Sequence, residues 1–169
     1  MMVDMTEPAI EDALIRVERS FHRLGAISKQ AARAQAAHAH PEMRPAGWIV
    51  FRVVSLLGPV PVADIIAETG MDKSVVSRQL KALREWGLIE VDRDPDDARV
   101  VVVRTSELGR ERAQRVRGIL RERYRAAFET WDESDVDTLA ELLERLVPAI
   151  DSPLLAAMPP SAAERAGTP

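Results

Sequence analysis

Residues 62–91 read VADIIAETGMDKSVVSRQLKALREWGLIEV, and this stretch decides the fold. Val62, Ile65 and Ile66 recur at helical spacing and Gly70 stands where a helix closes, so VADIIAETG is predicted to be a short helix with a glycine C-cap. Asp72 is an N-cap residue type, and a second helix is expected from Lys73 to Trp86, stopped by Gly87. Val76, Leu80 and Leu83 lie four and three apart and form its inward face. Lys73, Ser74, Ser77, Arg78 and Lys81 remain on the opposite face, all polar or basic. Two short helices joined by a tight glycine-containing turn are a helix-turn-helix.

Downstream of Gly87 the period changes. Leu88 to Arg93 partly alternates, and Arg99 to Arg104 is a β-branched run. Between them lies Asp94-Pro95-Asp96-Asp97-Ala98, rich in residues that hydrogen-bond their own backbone. A β-hairpin after a helix-turn-helix is a wing. Beyond it, Ser106 is the expected N-cap of a helix from Glu107 to about Glu129, with Leu108, Val116, Leu120, Ala127 and Phe128 on its apolar side. Ser134, with Asp137 three residues on, is the expected cap of a last helix whose stripe is Val136, Leu139, Leu143, Leu146 and Ile150. From Ser152 the chain is rich in Ala and Pro without a core pattern, as in a frayed tail.

Upstream, residues 46–58 follow Pro45 and end at Gly58-Pro59. Trp48, Ile49, Phe51, Val53, Val54, Leu56 and Leu57 suit a buried strand on propensity, but thirteen residues is long for a strand and a buried helix is the better reading. The proline-free stretch 9–40 places Ile10, Leu14, Val17, Phe21, Leu24 and Ala31 three to four apart or in phase with that spacing, closing on the alanine-rich QAARAQAAHA. It is a long amphipathic helix whose stripe needs a partner surface. The fold class is mainly α with a small β-wing.

The 169 residues suffice for one ordinary domain with a real core, and 46% hydrophobic with 30% charged residues is the balance of a folded protein. The absence of cysteine excludes disulfides, thiolate metal sites and a cysteine redox sensor. Three Trp, three Phe and one Tyr are too few for stacking platforms on single-stranded nucleic acid. A net charge of −4 argues against a basic coat over the whole surface and says little about a local patch. No apolar run approaches the roughly 20 residues of a membrane span, and MMVDMTEPAIEDAL carries acids where a signal peptide carries positive charge. The expected location is the cytoplasm. No glycine-rich phosphate loop or paired-carboxylate setting stands out, and His22, His38 and His40 share one helical region, so neither an enzyme nor a cofactor is expected. His38, His40 and Glu42 are metal-ligand types without an obvious fourth ligand, and His22 beside Phe21 reads as a helix-flank residue; no metal site is predicted.

Residues 45–110 resemble the winged helix-turn-helix of the MarR family of bacterial transcriptional regulators. The resemblance is carried by GW-x-V at Gly47 to Val50, DKS-x-VSR-x-L-x-x-L at Asp72 to Leu83, GLIE at Gly87 to Glu90, the pair Asp97-x-Arg99, and S-E-x-G-R at Ser106 to Arg110. One long helix before the wing and two after it also match, over roughly residues 9–150. Two positions depart from the pattern: Pro61 stands where such proteins often place a Ser or Thr N-cap, and Thr105 replaces a usually apolar residue. The resemblance implies an N-terminal dimerisation helix in 1–44, a DNA-binding domain in 45–105, C-terminal dimerisation helices in 106–151 and a flexible tail in 152–169. It further implies a homodimeric, sequence-specific regulator of transcription, a repressor, released by a small aromatic or phenolic effector. The effector would enter a crevice between the dimer helices and the winged domain, where Arg23, Trp48 and Arg52 are the candidate contacts.

The physical case for double-stranded DNA rests on fit. A major groove admits one α-helix and presents a distinct donor and acceptor pattern for each base pair. Lys73, Ser74, Ser77 and Arg78, near the start of the recognition helix, are placed for base edges, Arg78 for a bidentate contact to guanine, and Lys81 for a phosphate. An arbitrary polar helix face is simply solvated, and it is the surrounding helix-turn-helix and wing that turn this one towards DNA. Arg99 at the wing tip suits the narrow minor groove, with Asp97 either orienting its guanidinium or holding the turn, or the two forming a surface ion pair. Arg93 either touches phosphate or pairs with Asp94 or Asp96. Each half of a pseudo-palindromic operator would be read by one wing domain, with half-site centres about 10 bp, or roughly 34 Å, apart. From Asp72 to Arg104 seven basic residues meet seven acidic ones, so specificity must come from arrangement. Arg110, Arg112, Arg115, Arg117, Arg121, Arg123 and Arg125 read as the solvated, ion-pairing face of a helix. The competing function is an architectural or protein-interaction module without effector control.

Overall fold

The computed structural model describes residues 7–94, 97 and 99–151; the expectations for Pro95, Asp96, Ala98 and the tail from Ser152 fall outside the described residues. Among the described residues, six helices and three strands follow one another as α1 (Glu7–Ala39), α2 (Pro45–Leu57), β1 (Val60–Pro61), α3 (Val62–Thr69), α4 (Lys73–Glu85), β2 (Ile89–Arg93), β3 (Val101–Thr105), α5 (Glu107–Ala127) and α6 (Glu133–Asp151). Two compact units divide the chain, Met1–Leu120 and Arg121–Pro169.

In the first unit the core grows around α2. Trp48, Val50, Phe51 and Val54 are buried on it, so the thirteen-residue apolar stretch is a helix and not a strand. Pro45 occupies its first turn, where a missing N–H costs nothing. Around α2 pack Ala36 and Ala39 at the end of α1, Met43 in the turn that follows, Ile65 of α3 and Val76, Leu80 and Leu83 of α4. Val60, Leu88, Ile89 and Val103 close the core from the sheet, and Ala113 and Val116 join it from α5.

The sheet has the order β1-β3-β2, all antiparallel. The hairpin β2–β3 runs from Ile89 opposite Thr105 to Arg93 opposite Val101, which puts Val91 and Val103 on the core side. β2 starts one residue after the expected Leu88 and ends at Arg93 as expected, while β3 starts at Val101, two residues after the expected Arg99, and runs one residue further to Thr105, which pairs with Ile89. β1 was not expected at all. Val60 and Pro61 pair with Val103 and Val102, and Pro61 then leads straight into α3 with extended backbone (φ −60°, ψ 145°). Pro61 thus occupies the N-cap position of α3 without a side-chain cap.

Three capping and facing expectations need correction. Asp72 sits at the N-cap of α4, but its carboxylate makes no capping hydrogen bond; its backbone carbonyl accepts from Val75 and Val76 instead. Ser134 lies inside α6, which begins at Glu133, and the carbonyl of Asp132 takes the first N–H groups, from Asp135 and Val136. On α5, Leu108 is 40% exposed and Ala127 is exposed, whereas Gly109, Ala113 and Val116 form the buried face. Small residues win there because the helix starts against the backbone: a Cβ on Gly109 would lie 2.0 Å from the carbonyl oxygen of Leu88. Ser106 caps α5 as expected, its hydroxyl accepting the Gly109 N–H at 2.9 Å.

The second unit holds the end of α5 and all of α6. Phe128 and Trp131 meet edge to face between them, with ring centroids 5.2 Å apart. Val136, Leu139, Leu146 and Ile150 are half-buried, while Leu142, Leu143 and Val147 remain 51%, 43% and 61% exposed. Among the described residues no helix is long and apolar enough to cross a membrane.

Candidate nucleic-acid interface

The site is built on α4. With Val76, Leu80 and Leu83 buried against α2 and α3, the helix has one orientation available, and Lys73, Ser74, Ser77, Arg78 and Lys81 all face outward and are exposed. Lys73, Ser74, Ser77 and Arg78 form no side-chain hydrogen bond or ion pair with another described residue. Lys81 is 3.9 Å from Glu85, one turn along, and an exposed pair at that distance holds the lysine only loosely. Arg84 extends the same row, exposed in the last turn and seven residues beyond Ser77. That spacing was legible in the sequence, yet Arg84 was not among the expected contacts.

The end of α4 is closed with care. Gly87, at φ +69°, takes the left-handed conformation that lets its N–H reach the carbonyl of Arg84 while the Leu88 N–H reaches that of Leu83, each at 2.9 Å. The ring of Trp86, at the C-cap, stacks on the imidazole of His40 with centroids 4.3 Å apart and planes 18° from parallel. His40 also accepts the Glu42 N–H at Nδ1, 3.3 Å away. Among the described residues no three His, Asp or Glu side chains come together as a metal site would require.

On the wing, Asp97 holds the turn. Its Oδ1 accepts the backbone N–H of Arg99 at 2.9 Å and its carbonyl accepts the Val100 N–H, while its own N–H donates to Asp94 Oδ1 at 3.2 Å. The Arg99 guanidinium is exposed and meets no carboxylate among the described residues. Arg93 is exposed where β2 ends, opposite Val101. Lower on the hairpin, Arg104 bridges Glu90 at 2.6 Å and Asp92 at 3.1 Å, so these two acids are partly neutralised.

Of the three expected effector contacts, Trp48 and Arg52 lie one turn apart on α2 and Arg23 lies on α1. Trp48 is 5% exposed and its Nε1 donates to Gln35 Oε1 at 2.7 Å. Arg52 is exposed one turn further along α2. Arg23 is exposed on α1, twelve residues before Gln35, or about 18 Å along the helix. Of the α5 arginines, Arg125 pairs with Glu122 at 2.6 Å and Arg110 donates to the Thr105 carbonyl at 3.1 Å.

Comparison with known proteins bears on this geometry. Residues 43–100, from the turn before α2 to the loop between β2 and β3, match the model of the MarR family. Over this region the chain is similar to the MarR family. A curated relative, the HTH-type transcriptional repressor IacR of Pseudomonas putida, is 26% identical over 97 residues, covering 57% of this chain and 58% of the repressor's own length. Among solved structures, a MarR/EmrR family transcriptional regulator from Acinetobacter aligns with a TM-score of 0.63 at 24% identity, over 82% of this chain and 96% of that one. A mutant MarR from E. coli, complexed with operator DNA, aligns with a TM-score of 0.60 at 17% identity, over 81% and 97%. At these identities the solved structures establish the MarR-type fold, winged helix-turn-helix with flanking helices.

Proposed function

We propose that this chain is a MarR-family, sequence-specific, double-stranded DNA-binding regulator of transcription that acts as a homodimer. The observation that carries this reading is the outward row of α4: Lys73, Ser74, Ser77 and Arg78 are exposed and uncommitted on a helix whose opposite face is fully locked into the core. A helix held this way can enter a major groove without rearranging, and its free donors meet base edges and phosphates. Arg99 on its Asp97-braced turn is assigned to the minor groove, and Lys81 and Arg93 to phosphates. The name of the Pseudomonas putida relative supports repression as the mode of action.

Dimerisation is assigned to residues 1–44 and 106–151. Ile10, Leu14, Val17, Phe21, Leu24 and Ile27 of α1 are between 39% and 58% exposed, a continuous apolar stripe that a lone chain leaves in water. A second copy of the chain would cover it. The effector is assigned to a small aromatic or phenolic molecule, acting by favouring a spacing of the two recognition helices that no longer fits successive grooves.

The test is fluorescence anisotropy of the protein on the DNA upstream of its own gene against a shuffled fragment, at about 0.15 M salt. Tight binding to the native fragment alone is the expected result. Equal binding to both would favour an architectural module, and addition of aromatic acids to the bound complex tests release.

A further inference from the structure

The C-terminal end of α4 is gripped from two directions. From one side comes His40, just past α1, whose own N–H still donates to the Ala36 carbonyl at 3.0 Å and whose ring lies flat on Trp86. From the other comes the first turn of α5. There the Ser106 hydroxyl donates to the Gly87 carbonyl at 2.6 Å, the Ser106 N–H donates to the Leu88 carbonyl at 3.1 Å, and the bare α-carbon of Gly109 lets the two backbones touch. The N–H groups of Trp86, Gly87 and Leu88 all return to carbonyls of α4. Their ring and carbonyls are what the flanking helices hold. Three consecutive residues therefore join α4 to both long helices at one point.

We infer that His40 and Ser106 are positioning residues for DNA reading, fixing the angle of the recognition helix through its far end. The inference rests on the DNA-binding function proposed above. α4 has thirteen residues, a length of about 20 Å, so a tilt of about 10° about the Trp86 end carries the Lys73 end through about 3 Å. Hydrogen bonds to base edges do not survive such a shift, whereas contacts of flexible lysines and arginines with phosphates largely do. Loosening the grip should then lower discrimination between sequences and leave non-specific affinity in place. A purely structural role would instead lower both, in proportion to the protein unfolded.

The test compares full-length wild type with His40→Ala, His40→Phe, Ser106→Asp and Ser106→Thr, on the native upstream fragment and its shuffled counterpart. Phenylalanine keeps the stack on Trp86. Aspartate still accepts the Gly109 N–H as a helix cap but has no proton for the Gly87 carbonyl, and threonine retains both functions. His40→Ala and Ser106→Asp are expected to lose about tenfold in affinity for the native fragment, with binding to the shuffled one unchanged within about twofold. His40→Phe and Ser106→Thr are expected to match wild type, and circular dichroism should report the same helix content throughout. Variants that discriminate as well as wild type, or that weaken equally on both fragments, overturn the inference alone. A wild type that prefers neither fragment overturns the DNA-binding function and this inference with it.

Discussion

Asp97 grips the backbone of Arg99, not its side chain: Oδ1 accepts the Arg99 N–H at 2.9 Å, and Arg99 is exposed. Replacing Asp97 by Asn keeps the acceptor and should preserve DNA affinity. Replacing Arg99 by Ala should weaken binding by about tenfold, corresponding to about 1.4 kcal/mol, with the thermal midpoint unchanged. Equal affinity for wild type and Arg99→Ala in the anisotropy assay would remove the wing from DNA recognition.

Arg78 and Lys81 should fail differently. Loss of a bidentate base contact at Arg78→Ala should cost about 1–3 kcal/mol on the native fragment and relax preference at one base position. Lys81→Ala should weaken binding on all fragments alike and reduce the slope of log K against log salt by about 1. Affinities measured across a salt series on both fragments separate the two cases.

Two glycines of α5 make a matched pair. A Cβ at Gly118 meets nothing within 4 Å, so Gly118→Ala should stabilise the helix by about 1 kcal/mol. At Gly109 the same methyl would collide with the Leu88 carbonyl, and Gly109→Ala should lower stability despite its better helix propensity. Urea titrations showing both changes with the same sign would contradict the close approach seen here.

The α1 stripe can be tested by one charge. Leu24 is 53% exposed, so Leu24→Asp costs an isolated chain little, yet in a homodimer it would place a carboxylate in the interface. Sedimentation should show dimers for wild type and monomers for the variant, with weaker DNA binding. A variant that still sediments as a dimer would move the interface elsewhere.

Leu83 anchors the recognition helix and is fully buried beside Val76. Leu83→Ala should destabilise by about 2–5 kcal/mol, read as a lowered denaturation midpoint.

Much of this architecture was legible because each helix carries its own period. Val76, Leu80 and Leu83 announced the inward face of α4, and Ser106 announced the cap of α5 through its residue type alone. β1 was not legible, since two residues, one a proline, have no periodicity and become a strand only because Val103 presents a backbone to pair with. Asp72 and Ser134 misled for a related reason: a capping residue type marks a neighbourhood, while the hydrogen bond depends on a rotamer set by contacts outside the segment. The outward row of α4 could be read from sequence, and the spacing of Arg84 seven residues beyond Ser77 continues it. The joint between His40 and Trp86 could not, because these residues are 46 positions apart and no local pattern links them. Arg23, Trp48 and Arg52 were named from the crevice that the resemblance implies and not from a local pattern of their own.

The short strand at Val60–Pro61 has a consequence for how wings behave in a crowd. A sheet edge with free N–H and carbonyl groups invites other strands to add to it, and a winged protein that paired wing to wing would lose its reading surface. Here one edge is two residues long and carries a proline without an N–H, and the other, β2, alternates Glu90 and Asp92 with its apolar positions. Both borders of the sheet resist strand addition, which keeps the hairpin from pairing with the wing of another copy.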